Sequence, residues 1–268
     1  MNILILGTGF VEQSLIELCK KSKYLDRIYT ASAKPLENIP NVEYKDLSEL
    51  VSKAKVLQID LILTANKDFI VNGLVDYLKK NLLNVISINK KWLNLETSRI
   101  VAKQLLDYYS INNQKIIKAP TTFPLVVKTD NSHKTIVANT MEELVKIREC
   151  LGENKVFLEE YLSGEIFYLT TLWDGKTALH FVPQNNFTEV QQDRLDLLQT
   201  KISFMLSEEK ADFLGFFTTK LIWSKNDWYV LDFIMQLNDK VDFSSIKQDF
   251  LYILNCALYQ NLNEISSI

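Results

Sequence analysis

The chain has 268 residues, 47% apolar and 24% charged, with a formal net charge of −3. It is long enough to bury a core and to divide into one to three units. Its near-neutral balance gives no basic footprint for nucleic acid or an anionic membrane, and its longest unbroken apolar run, Phe250 to Leu254, is too short to span a bilayer.

Met1-Asn2 leads straight into the apolar run Ile3–Leu6, which reads as a first strand rather than a leader. Asn2–Gly7 is predicted as a strand, Val11–Lys21 as an amphipathic helix, Arg27–Ala31 as a strand and Val42–Lys45 as a weak one. Leu47–Gln58 reads as a helix, Leu61–Ala65 as a strand, Ile70–Lys80 as a helix and Asn84–Ile88 as a strand. Strands separated by helices of this length imply parallel pairing in a doubly wound, Rossmann-like sheet. Ligands of such sheets sit beyond the carboxyl ends of the strands, so Gly7–Glu12, Ala65–Phe69 and Ile88–Lys91 are the loops to watch. Leu95–Tyr109 reads as a helix, and the polar stretch Ser110–Lys115 with Pro120 and Pro124 as a boundary.

A compact α+β unit follows: strands Leu125–Lys128 and Thr135–Asn139, helix Met141–Glu149 capped by Thr140, and strand Lys155–Glu160. The last part has strands Phe167–Trp173 and Ala178–Val182, helix Val190–Leu206, strands Leu214–Trp223 and Trp228–Phe233 joined tightly through Lys225-Asn226-Asp227, and helix Ile246–Tyr259. The expected division is 1–110, 111–162 and 163–268. Cys19, Cys150 and Cys256 have no metal-like spacing and read as thiols in a reducing cytoplasm. His133 and His180 are too few for a histidine metal site or triad. Seven glycines are scarce, since about 7% is usual, and phosphate-handling loops depend on glycine.

The order of short motifs carries more information. Gly7-Thr8-Gly9-Phe10-Val11-Glu12-Gln13-Ser14-Leu15 resembles the GGGGREHAL turn of glycinamide ribonucleotide synthetases (phosphoribosylamine–glycine ligases). Asp60-Leu61-Ile62-Leu63 through Gly73-Leu74-Val75-Asp76 resembles DLVVVGPE…GLVD, and Leu95-Glu96-Thr97-Ser98-Arg99 with Ala102-Lys103 resembles LEGSK…AK. Val126-Val127-Lys128-Thr129-Asp130 resembles VVKAD, Thr140–Glu143 the family's helix start, and Leu158–Glu165 resembles IEEFLDGE, with Asp174-Gly175 following. Phe213-Leu214-Gly215 and Val230–Phe233 resemble YxG and VLEF. Eight pieces keep their order across most of the chain.

The resemblance implies a Rossmann-like N-terminal domain followed by an ATP-grasp domain of two subdomains. The reaction it implies is carboxyl activation by magnesium ATP, with an acyl phosphate attacked by an amine. Catalysis would then depend on positioning and charge neutralisation. It places Arg99, Lys128, Lys134, Glu159, Glu160 and Leu162 at the nucleotide, Gly7, Gly9 and Glu12 at the substrate, and Asp232 and Asp239 at the metal. Lys128 reads equally as a solvated strand-end lysine, and Glu159-Glu160 as an exposed acidic pair.

Departures from the family pattern fall on the ligand loops. Lys134 has lost its flanking glycines to His133 and Thr135, and Arg99 replaces a lysine with a broader, more rigid head. The metal motif ExNxRxGDPE here runs Asp232-Phe233-Ile234-Met235-Gln236 to Asp239. Ile234 has no oxygen to offer a hard cation, and Gln236 lacks the charge of the arginine it replaces. The glycine-rich stretch after Pro183-Gln184 is absent, the GPE loop is Ala65-Asn66-Lys67, and Val11 replaces an arginine.

Three readings result. The chain is a family member that has lost the ligase reaction and works as a nucleotide binder or an interaction module, keeping at most nucleotide binding, or it is a diverged but active ATP-dependent carboxylate–amine ligase. The third, an NAD-dependent oxidoreductase, rests on Gly7-Thr8-Gly9 alone, with Glu12 where a glycine or alanine is needed. ATP and magnesium are the cofactors implied and a nucleotide the partner; nucleic acid and membrane are not expected, and the cytoplasm is the expected location.

Overall fold

A computed structural model describes residues 1–129, 135–152, 156–182, 186–241, 243 and 246–265. Its first sheet grows from apolar runs too continuous to face water on either side. β1 (Asn2–Leu6), β2 (Arg27–Ala31), β3 (Leu61–Thr64) and β4 (Val85–Ile86) pair in parallel in the order β2-β1-β3-β4. Ile3 to Leu6 and Leu61 to Leu63 are buried on both faces, as a helix-covered parallel sheet requires. The connecting helices are α1 (Phe10–Lys20), α2 (Leu47–Val56), α3 (Lys67–Val71) and α4 (Leu74–Lys80). α5 (Asn94–Thr97) and α6 (Arg99–Tyr108) leave this sheet.

β5 (Leu125–Thr129), β6 (Thr135–Ala138) and β7 (Val156–Glu160) form an antiparallel sheet in the order β6-β5-β7, with α7 (Met141–Leu151) beside it. A second antiparallel sheet, β11-β10-β8-β9, comprises β8 (Ile166–Trp173), β9 (Ala178–Phe181), β10 (Gly215–Ser224) and β11 (Asp227–Ile234). α8 (Glu189–Glu208) and α9 (Phe250–Leu258) complete the fold. β10 and β11 join through Lys225 and Asn226, both at positive φ (51° and 60°), as a two-residue hairpin turn of matching twist demands. No described helix is long and apolar enough to cross a membrane.

Four expectations need correction. Val42–Lys45 is not a strand; the only pairing there is a bridge between Thr30 and Asn41. The predicted helix Ile70–Lys80 is two helices, α3 beginning at Lys67 and α4 at Leu74, because Gly73 stands at φ +75° between them. Leu95–Tyr109 breaks at Ser98, whose extended backbone and side chain cap α6 at Val101 N. The last helix starts at Phe250 rather than Ile246, where the Asp249 carboxylate accepts from Leu251 N and Tyr252 N.

The apolar clusters show how the sheets are joined. Leu4 and Leu6 share one cluster with Leu169, Phe217 and Trp228, and Ile3 and Ile5 share another with Leu172, Phe216 and Leu251. The first sheet and β8–β11 therefore rest on common cores. The three-stranded unit has its own small core of Leu125, Val127, Ala138, Leu144, Leu151 and Leu158. Gly215 lets the two larger sheets come close: a Cβ there would lie 2.7 Å from the Ser87 carbonyl carbon, where Ser87 N donates to Leu214 O.

Candidate functional site

Two places gather the polar residues that the sequence singles out. The first is the junction of α6 with the two antiparallel sheets, laced by residues 112–117. Val230 N donates to Asn112 O on the β11 side, while Glu160 N donates to Lys115 O and Ile117 N to Leu158 O on the β7 side. Lys128 lies on β5, paired on both sides, and strand alternation puts it opposite Val127, which packs into the small core. Arg99 and Lys103 lie four apart on α6, hence on one helical face.

These side chains neutralise one another. The two Glu159 oxygens lie 2.8 Å from Lys103 Nζ and 2.8 Å from Lys128 Nζ. Arg99 Nε is 3.0 Å from one Asp232 oxygen, and Lys128 Nζ is 3.8 Å from the other. Lys128 also donates to Gln114 Oε1 and to Leu231 O, both at 3.1 Å, so the three donors of its ammonium are engaged by protein. Lys103 is similarly filled by Glu159, Asn113 Oδ1 and the Gln114 carbonyl. Burial pulls the Lys103 ammonium below its ordinary pKa, with Glu159 acting in the opposite sense. Glu159 is fully buried and Lys128 is 2% exposed. The space left among these residues is about 10 Å³, room for about one water.

The structure thus brings Arg99, Lys128, Glu159 and Asp232 together and adds Lys103 and Gln114, which the sequence reading did not assign. Glu160 faces the rim, where Lys225 Nζ lies 2.6 Å from one oxygen and Lys115 N donates to the other at 3.1 Å. Burial works to raise the Glu160 carboxyl, but Lys225 and Lys115 outweigh it and hold its pKa below the usual value. Leu162 is buried. Asp239 is exposed and pairs with the adjacent Lys240 at 3.0 Å. Lys134, with His133 and Pro183-Gln184, lies outside the described residues.

Magnesium does not fit the donors as they stand. Asp232 is committed to a guanidinium, Ile234 follows it, and Asp239 is tied to a lysine at the surface. Among the described residues no group of three or more His, Cys, Asp or Glu is placed to hold a metal ion.

The second place is open. At the carboxyl ends of β1, β2 and β3 lies a cleft of about 950 Å³ lined by Gly7, Gly9 and Glu12, with Ser32, Lys34 and Tyr44 among its walls. Gly7 takes φ +106°, a conformation side chains resist. At Gly9 the reason for glycine is space: a Cβ would stand 2.7 Å from Glu12 Oε2. Both glycines therefore seat the Glu12 side chain, which is 6% exposed and accepts from Ala65 N at 3.3 Å. Near the cleft Lys67 pairs with the buried Glu96 at 2.7 Å, and Glu96 also accepts from Met235 N. Lys67 stands where the family carries an acid, a departure visible in the sequence, but nothing there announced Glu96 as its partner.

Residues 1–96 match the family described as "Phosphoribosylglycinamide synthetase, N domain". Over 99% of its length the chain is 22% identical to a phosphoribosylamine–glycine ligase of Fusobacterium nucleatum, covering 75% of that protein. To the ligase of Clostridium acetobutylicum it is 24% identical over 98% of its length, covering 76%. The solved phosphoribosylamine–glycine ligase of Thermotoga maritima superposes with a TM-score of 0.74 at 17% identity, spanning the whole chain and 77% of that protein. N5-carboxyaminoimidazole synthetase of Staphylococcus aureus superposes with a TM-score of 0.65 at 16% identity over 89% of this chain and 71% of that one. The Rossmann-like sheet, the three-stranded antiparallel sheet and the larger antiparallel sheet are therefore the fold of these solved ligases, and the chain is similar in sequence to phosphoribosylamine–glycine ligases over nearly its whole length.

Proposed function

We propose that this chain is a phosphoribosylamine–glycine ligase homologue that no longer carries out the ligase reaction and acts as a small-molecule binding protein. One observation carries the reading. The cations that the family pattern assigns to the nucleotide, Arg99 and Lys128, face protein carboxylates across a space of about 10 Å³. A related fold, N5-carboxyaminoimidazole ribonucleotide synthetase, is known as an ADP complex. For a triphosphate to bind here, it would have to displace Glu159 and Asp232 from their lysines and arginine, inside protein. Breaking a buried pair by removing one partner costs about 3–5 kcal/mol, and phosphate would have to recover that from the same cations. The division at residues 110 and 162 is part of the same reading, with the junction as the seam of the three units.

The test is a coupled assay for ADP release with magnesium ATP, glycine and phosphoribosylamine, run beside a thermal-shift series with ATP and ADP. The proposal expects no turnover above the no-enzyme blank and no melting shift at millimolar nucleotide. A melting shift without turnover, abolished by Lys128→Ala, restores nucleotide binding but not catalysis. Turnover dependent on glycine or another acid establishes the second reading, an active ligase. That reading draws on the same convergence of Arg99, Lys103 and Lys128 where α6 meets the two antiparallel sheets.

A further inference from the structure

One end of the larger antiparallel sheet carries a pocket that shares no lining residue with the junction or the cleft. Strand register builds it. Phe167 on β8 is paired with Leu221 on β10, and two positions further along Trp223 N donates to Glu165 O. Trp223 is paired in turn with Trp228 on β11. Residues two apart on a strand share a face, and directly opposed ones stand side by side. Glu165, Phe167, Trp223 and Trp228 therefore emerge on one side of the sheet. Gly164 permits the close approach that places Glu165 there, because a Cβ at that position would collide with Trp223 O.

Phe187, just before α8, completes the wall. Its ring centroid lies 5.0 Å from that of Phe167 and 5.6 Å from that of Trp228, and Trp223 lies 5.1 Å from Trp228. All three contacts are edge-to-face, the packing that aromatic quadrupoles favour. The Trp228 indole donates to Gln191 O at 3.0 Å, which fixes that ring. Trp223 and Phe187 are only half-buried, so aromatic surface stays open to solvent around a space of about 250 Å³.

The charge of the pocket is one-sided. Glu165 is exposed at its rim, and among the described residues no cation pairs with it. No lysine, arginine or histidine lines the space. The start of α8 would by itself attract an anion, but the reciprocal bonds of Thr188 and Gln191 close it and Glu189 adds negative charge in the first turn. Ring faces within about 6 Å attract an ammonium group, and tryptophan does so most strongly. The volume falls below the roughly 300–1,000 Å³ that a drug-sized ligand occupies, which favours a compact ion over a nucleotide.

We propose that this pocket binds a small organic cation of the quaternary or alkylated ammonium class, held against Trp223, Trp228 and Phe187 with Glu165 as its counter-charge. The site lies apart from both regions described above and stands whether or not the ligase reaction survives.

The experiment titrates the full chain with choline at constant ionic strength, read by tryptophan fluorescence and by saturation transfer to the choline methyl protons. Two comparators define the chemistry. One is the neutral carbon isostere of choline, with a tert-butyl group in place of trimethylammonium. The other is methyl glucoside, which could stack on the same rings without charge. Choline is expected to bind at millimolar concentration, the isostere about fivefold more weakly or less, and the glucoside not at all. Trp223→Phe keeps the packing on Trp228 but offers a weaker ring face, and should weaken choline about threefold. Glu165→Gln changes an exposed side chain and should weaken it by a similar factor of about three, a loss that fades as salt rises. Absence of saturable choline binding, equal affinity for choline and its isostere, a preference for methyl glucoside, or unchanged affinity in either variant would overturn the proposal.

Discussion

The open cleft and the filled junction are built from similar materials and have opposite characters. Each collects side chains where strands end or sheets meet, yet one encloses about 950 Å³ and the other about 10 Å³. The difference lies in what their charges face. In the junction, Lys103 and Lys128 each have three protein acceptors, and Glu159 has a lysine at each oxygen. In the cleft, the Glu12 carboxylate faces no described lysine or arginine in an ion pair and accepts from Ala65 N at 3.3 Å beside open space. Charges that pair with one another inside protein are part of the scaffold, and side chains that line an open cleft are within reach of a ligand.

The largest expected effect breaks the junction at its centre. Glu159→Gln removes the charge shared by two buried ammonium groups while keeping the shape. The uncompensated lysines should cost about 3–5 kcal/mol, read as a lowered urea midpoint with an unchanged m-value. A loss under about 1 kcal/mol would mean the junction is loose enough for water to screen it, and its contrast with the cleft would disappear.

His180 supplies a pH-dependent reference outside both sites. It is buried on β9, with Nδ1 2.9 Å from Thr171 Oγ1 and Nε2 3.1 Å from Ser203 Oγ. Burial, only partly opposed by the Gln199 carbonyl, pushes its pKa from 6.5 down to about 4. The folded state therefore holds the ring neutral while the unfolded chain takes a proton. Its contribution is full above about pH 6.5, declines as pH falls, and is exhausted below about pH 4, a loss of about 3 kcal/mol. His180→Gln should remove that part of the slope between pH 6.5 and 4. If the slope is unchanged, acid sensitivity originates elsewhere, with the junction the first candidate.

Asp232→Asn is the intermediate case. Its side chain is 21% exposed and faces one arginine closely and one lysine at 3.8 Å. Loss of a charged hydrogen bond there should cost about 1.5–3 kcal/mol, measured by denaturation. Both cations lose a counter-charge, so this variant is also the one in which ATP should first produce a melting shift. If ATP shifts the unmodified chain just as much, the internal pairs do not exclude it.

The sequence discloses these two regions unevenly. The parallel sheet is legible because Ile3–Leu6 and Leu61–Leu63 are unbroken apolar runs between helices of crossover length. Element ends are not, because they depend on single residues: Gly73 at positive φ and Ser98 as a cap each divide one expected helix into two. Arg99, Lys128, Glu159 and Asp232 can be picked out one at a time through family motifs, but motifs do not say whether such residues face a ligand or each other. Lys103 was within reach, since it lies one turn from Arg99. Gln114 was hidden in a polar stretch that looks like a linker, yet it donates to Glu160 O and accepts from Lys128. Glu12 is marked by the family resemblance and as a mismatch to a dinucleotide turn, but its seating against Gly7 and Gly9 is a property of the packing alone.

The smallest expected effect compares two neighbours on one strand. Glu159 and Glu160 are adjacent on β7, and alternation turns the first into the junction and the second to the rim. Glu160 pairs with Lys225 at 2.6 Å, but that lysine side chain is 55% exposed, so solvent screens the contact. Lys225→Met should lower stability by less than about 1 kcal/mol, several-fold below Glu159→Gln. Because the folded-state pKa of Glu160 is depressed, its contribution is present above the ordinary carboxylate range and fades as pH falls through the depressed value. The difference between the unmodified chain and Lys225→Met should accordingly shrink as pH drops below about 4.3 and be flat at neutral pH. Equal losses for the two substitutions at pH 7 would show that burial does not separate rim from junction, and the distinction between a self-satisfied site and an open one would have to rest on the cleft alone.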